Sequence, residues 1–159
     1  KFIEPSNRNV MVTKDSQKEN HPSGENLRLQ LPSDQMAEYC RRVVSHLEEE
    51  KRYLNPNYSL WDLSRETGIP VKMISKSINK YMKRNFYDLI NRMRIEEAKA
   101  ILREMAVTNS KAMIEEVGTQ CGFHSRSVFF SRFNEYERMS PKKYMNLYEK
   151  PSHKPGSGK

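Results

Sequence analysis

No stretch of this sequence approaches the ~20 consecutive apolar residues that a bilayer-spanning helix needs, and no secretory leader pattern opens it. The segment is therefore expected to make no membrane contact. Cysteine is scarce: only Cys40 and Cys121 occur, with four histidines, His21, His46, His124 and His153, and none falls into a CxxC or HxxxH spacing. A zinc site is accordingly not expected, nor any other cofactor, and Cys121, at a helical apolar position, reads as a buried thiol. There is no phosphate-cradling glycine loop and no nucleophile elbow. Carboxylates do occur in pairs, at Glu96-Glu97 and Glu115-Glu116. Neighbours on a helix diverge by about 100°, so neither pair can converge on one substrate, and an enzyme is not expected.

What the chain has in excess is positive charge. Its formal net charge is +8, with 36% hydrophobic and 30% charged residues, a lean core under a wet surface. Residues 53–159 carry nineteen Lys/Arg against eleven Asp/Glu, which accounts for the whole +8. The excess lies in the part expected to fold, so a polyanion is the natural partner, although basic surfaces also serve solubility or anionic lipid. The chain opens on Lys1 rather than Met, which fits a segment of a longer protein with a sensor or anchor upstream.

Residues 1–33 are polar, carry Pro5, Pro22, Pro32 and Gly24, and read as a flexible linker; residues 151–159 (PSHKPGSGK) read as a disordered tail. Between them the apolar period stays near 3.6, which predicts an all-α chain. Ser33 or Asp34 can cap a helix over about 34–53 with Met36, Cys40, Val43, Val44 and Leu47 on one face. That helix either packs on its helical neighbours as an extra core element or serves as a signalling or dimerising stalk. Ser59 caps a short helix ended by Gly68, and Pro70 opens the next, with Ile74, Ile78 and Tyr81 inward. A longer helix spans about Tyr87 to Met105, its core side Leu89, Ile90, Met93, Ala98, Ile101 and Leu102. Another short helix bears Ile114, Val117, Gly118 and Cys121; the next, about Ser125 to Tyr136, turns Phe129 and Phe133 inward. Ser140-Pro141 opens a closing helix with Tyr144, Leu147 and Tyr148.

Two of these stretches repeat each other. LWDLSRETGIPVKMISKSI (Leu60 to Ile78) and IEEVGTQCGFHSRSVFFSRF (Ile114 to Phe133) align Leu60, Leu63, Ser64, Gly68 and Ile69 with Ile114, Val117, Gly118, Gly122 and Phe123. After one extra residue, Ile74 and Ile78 align with Phe129 and Phe133. Helices crossing at roughly 90–120° need a small residue at the approach, here Ser64 and Gly118. The sharp reversal favours a left-handed residue, here Gly68 and Gly122. An apolar residue directly after it, Ile69 or Phe123, plugs the angle. Both copies are thus expected to be helix-turn-helix units.

The outward faces of the second helices differ. Residues 70–84 contain Lys72, Lys76, Lys80, Lys83 and Arg84 and no acid. Solvated helices usually mix signs to gain i,i+4 pairs, so five uncompensated cations carry a repulsive cost that phosphate would relieve. In the second copy the outward residues are Arg126, Ser127, Phe130, Ser131 and Asn134. Arginine can grip guanine bidentately, and Phe130 fits either a thymine methyl or the core.

On RIEEAKAIL (Arg94 to Leu102), IEEVGTQCGF (Ile114 to Phe123), the Ser127, Phe129 and Phe133 pattern, and MSPKKY (Met139 to Tyr144), the chain resembles the DNA-binding domain of AraC/XylS-type transcription regulators from Leu60 to Tyr148. The resemblance implies two helix-turn-helix subdomains (about 59–82 and 113–136) joined by a long linker helix (about 87–105), within a domain over 54–150 preceded by the extra helix 34–53. It implies double-stranded DNA as partner, an upstream sensor or regulatory domain, and a cytoplasmic location, with membrane-anchored or two-component versions resembling the stretch before Leu60. Carried over by position, the base-facing residues are Lys72, Ser75, Lys76 and Asn79, then Arg126, Ser127, Phe130 and Ser131. Phosphate contacts fall to Lys80, Lys83, Arg84, Arg132, Lys142 and Lys143. The sequence departs from the pattern at Lys83 and Arg138, where glycine is usual, at Ser131, where arginine is common, and at Met113, where a Ser/Thr cap is usual. The rival expectation is a helical protein-interaction module whose basic face meets an acidic partner.

Overall fold

The computed structural model describes residues 33–110 and 113–149. The expected linker, apart from Ser33, and the expected tail lie outside the described residues. Within these, the protein is all-helical: α1 (Ser33–Glu50), a 3-10 turn (Arg52–Leu54), α2 (Leu60–Thr67), α3 (Val71–Met82), α4 (Phe86–Thr108), α5 (Ile114–Gln120), α6 (Arg126–Glu137) and α7 (Pro141–Asn146).

Helix α1 buries Met36, Cys40, Val43 and Leu47 and packs along α3, while Val44 is half-buried. Of the two readings open for this helix, packing is the one observed. It stops earlier than the 53 expected. Glu48, Glu49 and Glu50 crowd its C-terminal end, where the helix dipole disfavours anions, and Lys51 turns left-handed (φ 48°) into the 3-10 turn. Arg42 at the other side of α1 donates to the Thr67 carbonyl at 2.9 Å, closing the end of α2.

Ser59 and Asp62 form a reciprocal capping box at the start of α2, and Gly68 ends it left-handed at φ 69°. Pro70 occupies the cap position of α3, one residue before the helix proper, and its carbonyl accepts from the Met73 and Ile74 amides. The buried face of α3 is Met73, Ile74, Ser77 and Ile78; Tyr81, expected inward, is 41% exposed. It lies at the margin of that stripe, in the last turn of the helix.

Helix α4 is the backbone of the second half. Ile95, Ala98, Leu102, Met105 and Ala106 form one core with Val117, Cys121, Phe123, Phe129, Phe133, Tyr144 and Met145. Met93 and Ile101 are only half-buried. Burial pushes the Cys121 thiol up to about 12, as befits an apolar core position. Asn109 caps α4 left-handed at φ 48°. Gly118 is required by packing, since an added Cβ would lie 2.7 Å from the Phe129 ring. Ser125 and Ser140 cap α6 and α7 through their hydroxyls, whereas Met113 gives α5 no side-chain cap. Leu147 and Tyr148, expected inward, are 62% and 41% exposed, because α7 ends at Asn146 and the helical period does not continue past it. Met145 takes the inward place instead.

Candidate nucleic-acid interface

Each helix-turn-helix turn is held by a different device. In the first, the Ser64 hydroxyl donates to the Ile69 carbonyl at 2.7 Å, so the small residue is also a latch on the turn. In the second, Gly122 (φ 85°) sits against the Leu54 and Tyr53 carbonyls, which an added Cβ would approach to 2.6 and 2.8 Å. Those carbonyls belong to the turn after α1. The buried Arg94 of α4 donates to the same Tyr53 carbonyl at 2.7 Å and to that of Asn55 at 3.0 Å, and its guanidinium lies over Phe123. The segment after α1 is thereby wedged between α4 and the second turn.

These turns fix what α3 and α6 expose. On α3, Lys72, Asn79 and Lys80 are exposed, and Ser75 and Lys76 are half-buried. Among the described residues, Lys72, Lys76 and Lys83 make no ion pair. Arg84 differs: it is half-buried and bound to Asp88 at 3.2 Å, which leaves its charge largely compensated.

On α6, Arg126, Ser127 and Ser131 are exposed. Phe130, read from sequence as core or contact, is half-buried, meeting Phe129 edge-on at 5.5 Å and lying under the Arg126 guanidinium at 5.1 Å. Arg126 also pairs with Glu115 at 3.1 Å, and Arg132 with Glu135 at 2.7 Å. Lys142 reaches Glu149 at 3.4 Å, and Lys143 is exposed. Arg126, Phe130 and Lys142 come together with Glu115 in one cleft of about 480 Å³. Ser127, Ser131 and Arg132 line another beside the exposed Val128, a residue that sequence reasoning passed over. Glu115 was missed as well, and nothing in the repeat could reveal it, because Trp61 stands at the equivalent place in the first copy.

Two tandem helix-turn-helix units on a shared connecting helix define a class of domain. The family model described as a helix-turn-helix domain matches residues 63–146, just over half the chain, and the protein belongs to this family in its AraC-type form. A transcriptional regulator with an AraC-type DNA-binding domain from Chromobacterium violaceum is similar in structure (TM-score 0.61, 17% identity, 75% of this chain and 99% of that one). So is the C-terminal domain of AraT, a response regulator from Geobacillus stearothermophilus (0.60, 17%, 72% and 89%). The C-terminal domain of the two-component response regulator yesN from Fusobacterium nucleatum also matches (0.54, 24%, 65% and 93%). No curated protein matches the chain in sequence. The family is one of DNA-binding transcription regulators and not a class of enzyme.

Proposed function

We propose that the chain is the output domain of a transcription regulator and binds double-stranded DNA sequence-specifically, with α3 and α6 reading adjacent major-groove segments. The observation that carries this is the outward face of α3, where Lys72, Lys76 and Lys83 stand with no ion-pair partner among the described residues. Phosphate supplies the missing counter-charge, and counterion release supplies affinity.

In this reading Lys72, Ser75, Lys76 and Asn79 meet base edges from α3, and Arg126, Ser127, Phe130 and Ser131 from α6. Lys80, Lys83, Arg84, Arg132, Lys142 and Lys143 hold phosphates and set the register. Because the two units are tandem, one molecule engages the groove twice without two-fold symmetry. A sensor or regulatory domain elsewhere in the full-length protein controls this segment, which works in the cytoplasm. No described helix is long and apolar enough to cross a membrane.

Selection of bound duplexes from a random pool tests the reading directly. A recurring site is expected, with affinity falling steeply as salt rises. Lys76→Ala should weaken binding to that site by about 1–3 kcal/mol and leave random duplex less affected. If the selected pool stays random while acidic protein partners bind tightly, the protein-interaction reading wins.

A further inference from the structure

The two outward faces differ in how their cations are held, and the difference singles out an acid. Lys72 and Lys76 have no ion-pair partner among the described residues, but Arg126 is contacted from two directions. Its guanidinium carbon lies over the Phe130 ring, four residues on, at 5.1 Å from the centroid, and its Nη2 meets Oε1 of Glu115 on α5 at 3.1 Å. The side chain nevertheless remains 66% exposed. Among the described residues, no other partner takes its remaining N–H groups.

A guanidinium carries five N–H donors in a rigid fork, so one edge can be tied to a carboxylate while another stays free for a base. Reading guanine through O6 and N7 needs two of those donors held parallel. An unsupported arginine must surrender most of its rotamer freedom to present them. Here Glu115 and Phe130 restrict that freedom before any base arrives. The carboxylate has a second effect, because it opposes the approach of phosphates and so penalises contact that is not guided by a base.

We propose that Glu115 is a positioning residue for base discrimination. It holds Arg126 in a guanine-reading pose and sets the selectivity of the second unit without itself touching a base. This rests on the DNA-binding reading above.

The test uses the 159-residue chain and the duplex recovered by selection. The relevant position is the guanine whose replacement by adenine loses its effect in Arg126→Ala. In the unaltered protein that replacement should weaken binding roughly tenfold to a hundredfold. In Glu115→Ala the ratio should shrink by about three- to tenfold, the scale set by the freedom an unsupported arginine regains. Affinity for random duplex should rise at the same time. Glu116→Ala is the control: it removes an acid from the same helical turn, and it should raise random-duplex affinity while leaving discrimination intact. Undiminished discrimination in Glu115→Ala overturns the proposal and leaves the DNA-binding reading standing. If Arg126→Ala alters no base preference at all, Arg126 does not read a base and the proposal falls with it. A selected pool that stays random, by contrast, removes the DNA-binding reading itself.

Discussion

The Tyr136 hydroxyl donates a 2.6 Å hydrogen bond to Oδ1 of Asp88, 48 residues earlier in the chain. The other carboxylate oxygen faces Arg84 at 3.2 Å and Arg92 at 3.8 Å, and the Arg92 guanidinium lies 4.7 Å from the Tyr136 ring. One carboxylate in the first turn of α4 thus gathers Arg84 from the link between α3 and α4, Arg92 one turn further along α4, and the last turn of α6. Burial and the Asp88 carboxylate push the Tyr136 hydroxyl well above the usual phenol range, so it stays a donor at any ordinary pH.

That bond is partly buried and its acceptor is charged, which places it above the neutral hydrogen bond in strength. Tyr136→Phe should lower stability by about 1–2 kcal/mol in urea unfolding, because Asp88 keeps its arginines and some water. A change below about 0.5 kcal/mol would show that the contact adds nothing to the joint between the units.

The two turn glycines look equivalent in sequence and are not. Both have positive φ, but an added Cβ at Gly68 meets nothing within 4 Å, whereas at Gly122 it meets two backbone carbonyls below 3.0 Å. Backbone cannot swing aside as a side-chain tip can, and the Tyr53 carbonyl is also held by Arg94. Gly68→Ala should cost about 1 kcal/mol, the left-handed strain alone. Gly122→Ala should cost about 2–4 kcal/mol, since overpacking is added. Equal thermal shifts for the two variants would contradict this account.

The contrast marks where sequence reasoning stops. Capping serines, left-handed glycines and the apolar stripes of α2, α3, α5 and α6 are local consequences of helix physics, so the repeat and its bend are legible from spacing. Arg94 is different. A guanidinium carries no apolar signal, yet Arg94 is 7% exposed, because carbonyls 39 and 41 residues away accept its protons. The Arg126–Glu115 pair has the same character: which acid an arginine finds depends on how two helices cross. Leu147 and Tyr148 mislead for a simpler reason, because a periodic pattern does not announce that its helix has ended.

Lys83 and Arg138 end α3 and α6 in the left-handed conformation, at φ 55° and 57°, where a Cβ is strained and glycine is not. Arg138→Gly should therefore stabilise the protein by about 0.5–1 kcal/mol, after allowing for the looser unfolded chain. Lys83→Gly should give a similar gain in melting temperature while weakening DNA binding at low salt, because it also removes a cation with no ion-pair partner among the described residues. A fall in melting temperature for Arg138→Gly would mean that its side chain contributes more than its backbone costs.

Acid should unfold the protein partly through Glu66. Burial pushes this carboxyl up, but hydrogen bonds from His46 (2.9 Å) and Tyr58 (2.7 Å) and the charge of Arg52 outweigh it and hold the group below its ordinary value near 4.5. A carboxyl depressed by folding contributes stability that is fully present above the unfolded value. That contribution drains away as pH falls through the lower, folded value. The cluster joins α1 to α2 and to the 3-10 turn, so protonation of Glu66 loosens the seat of the first unit. Glu66→Gln should lower stability at neutral pH and flatten the loss below about pH 4.5, because glutamine has no proton to take up. Denaturant midpoints measured from pH 7 to pH 3 check this; a variant curve parallel to that of the unaltered protein throughout the acid range would show that other carboxylates govern the transition.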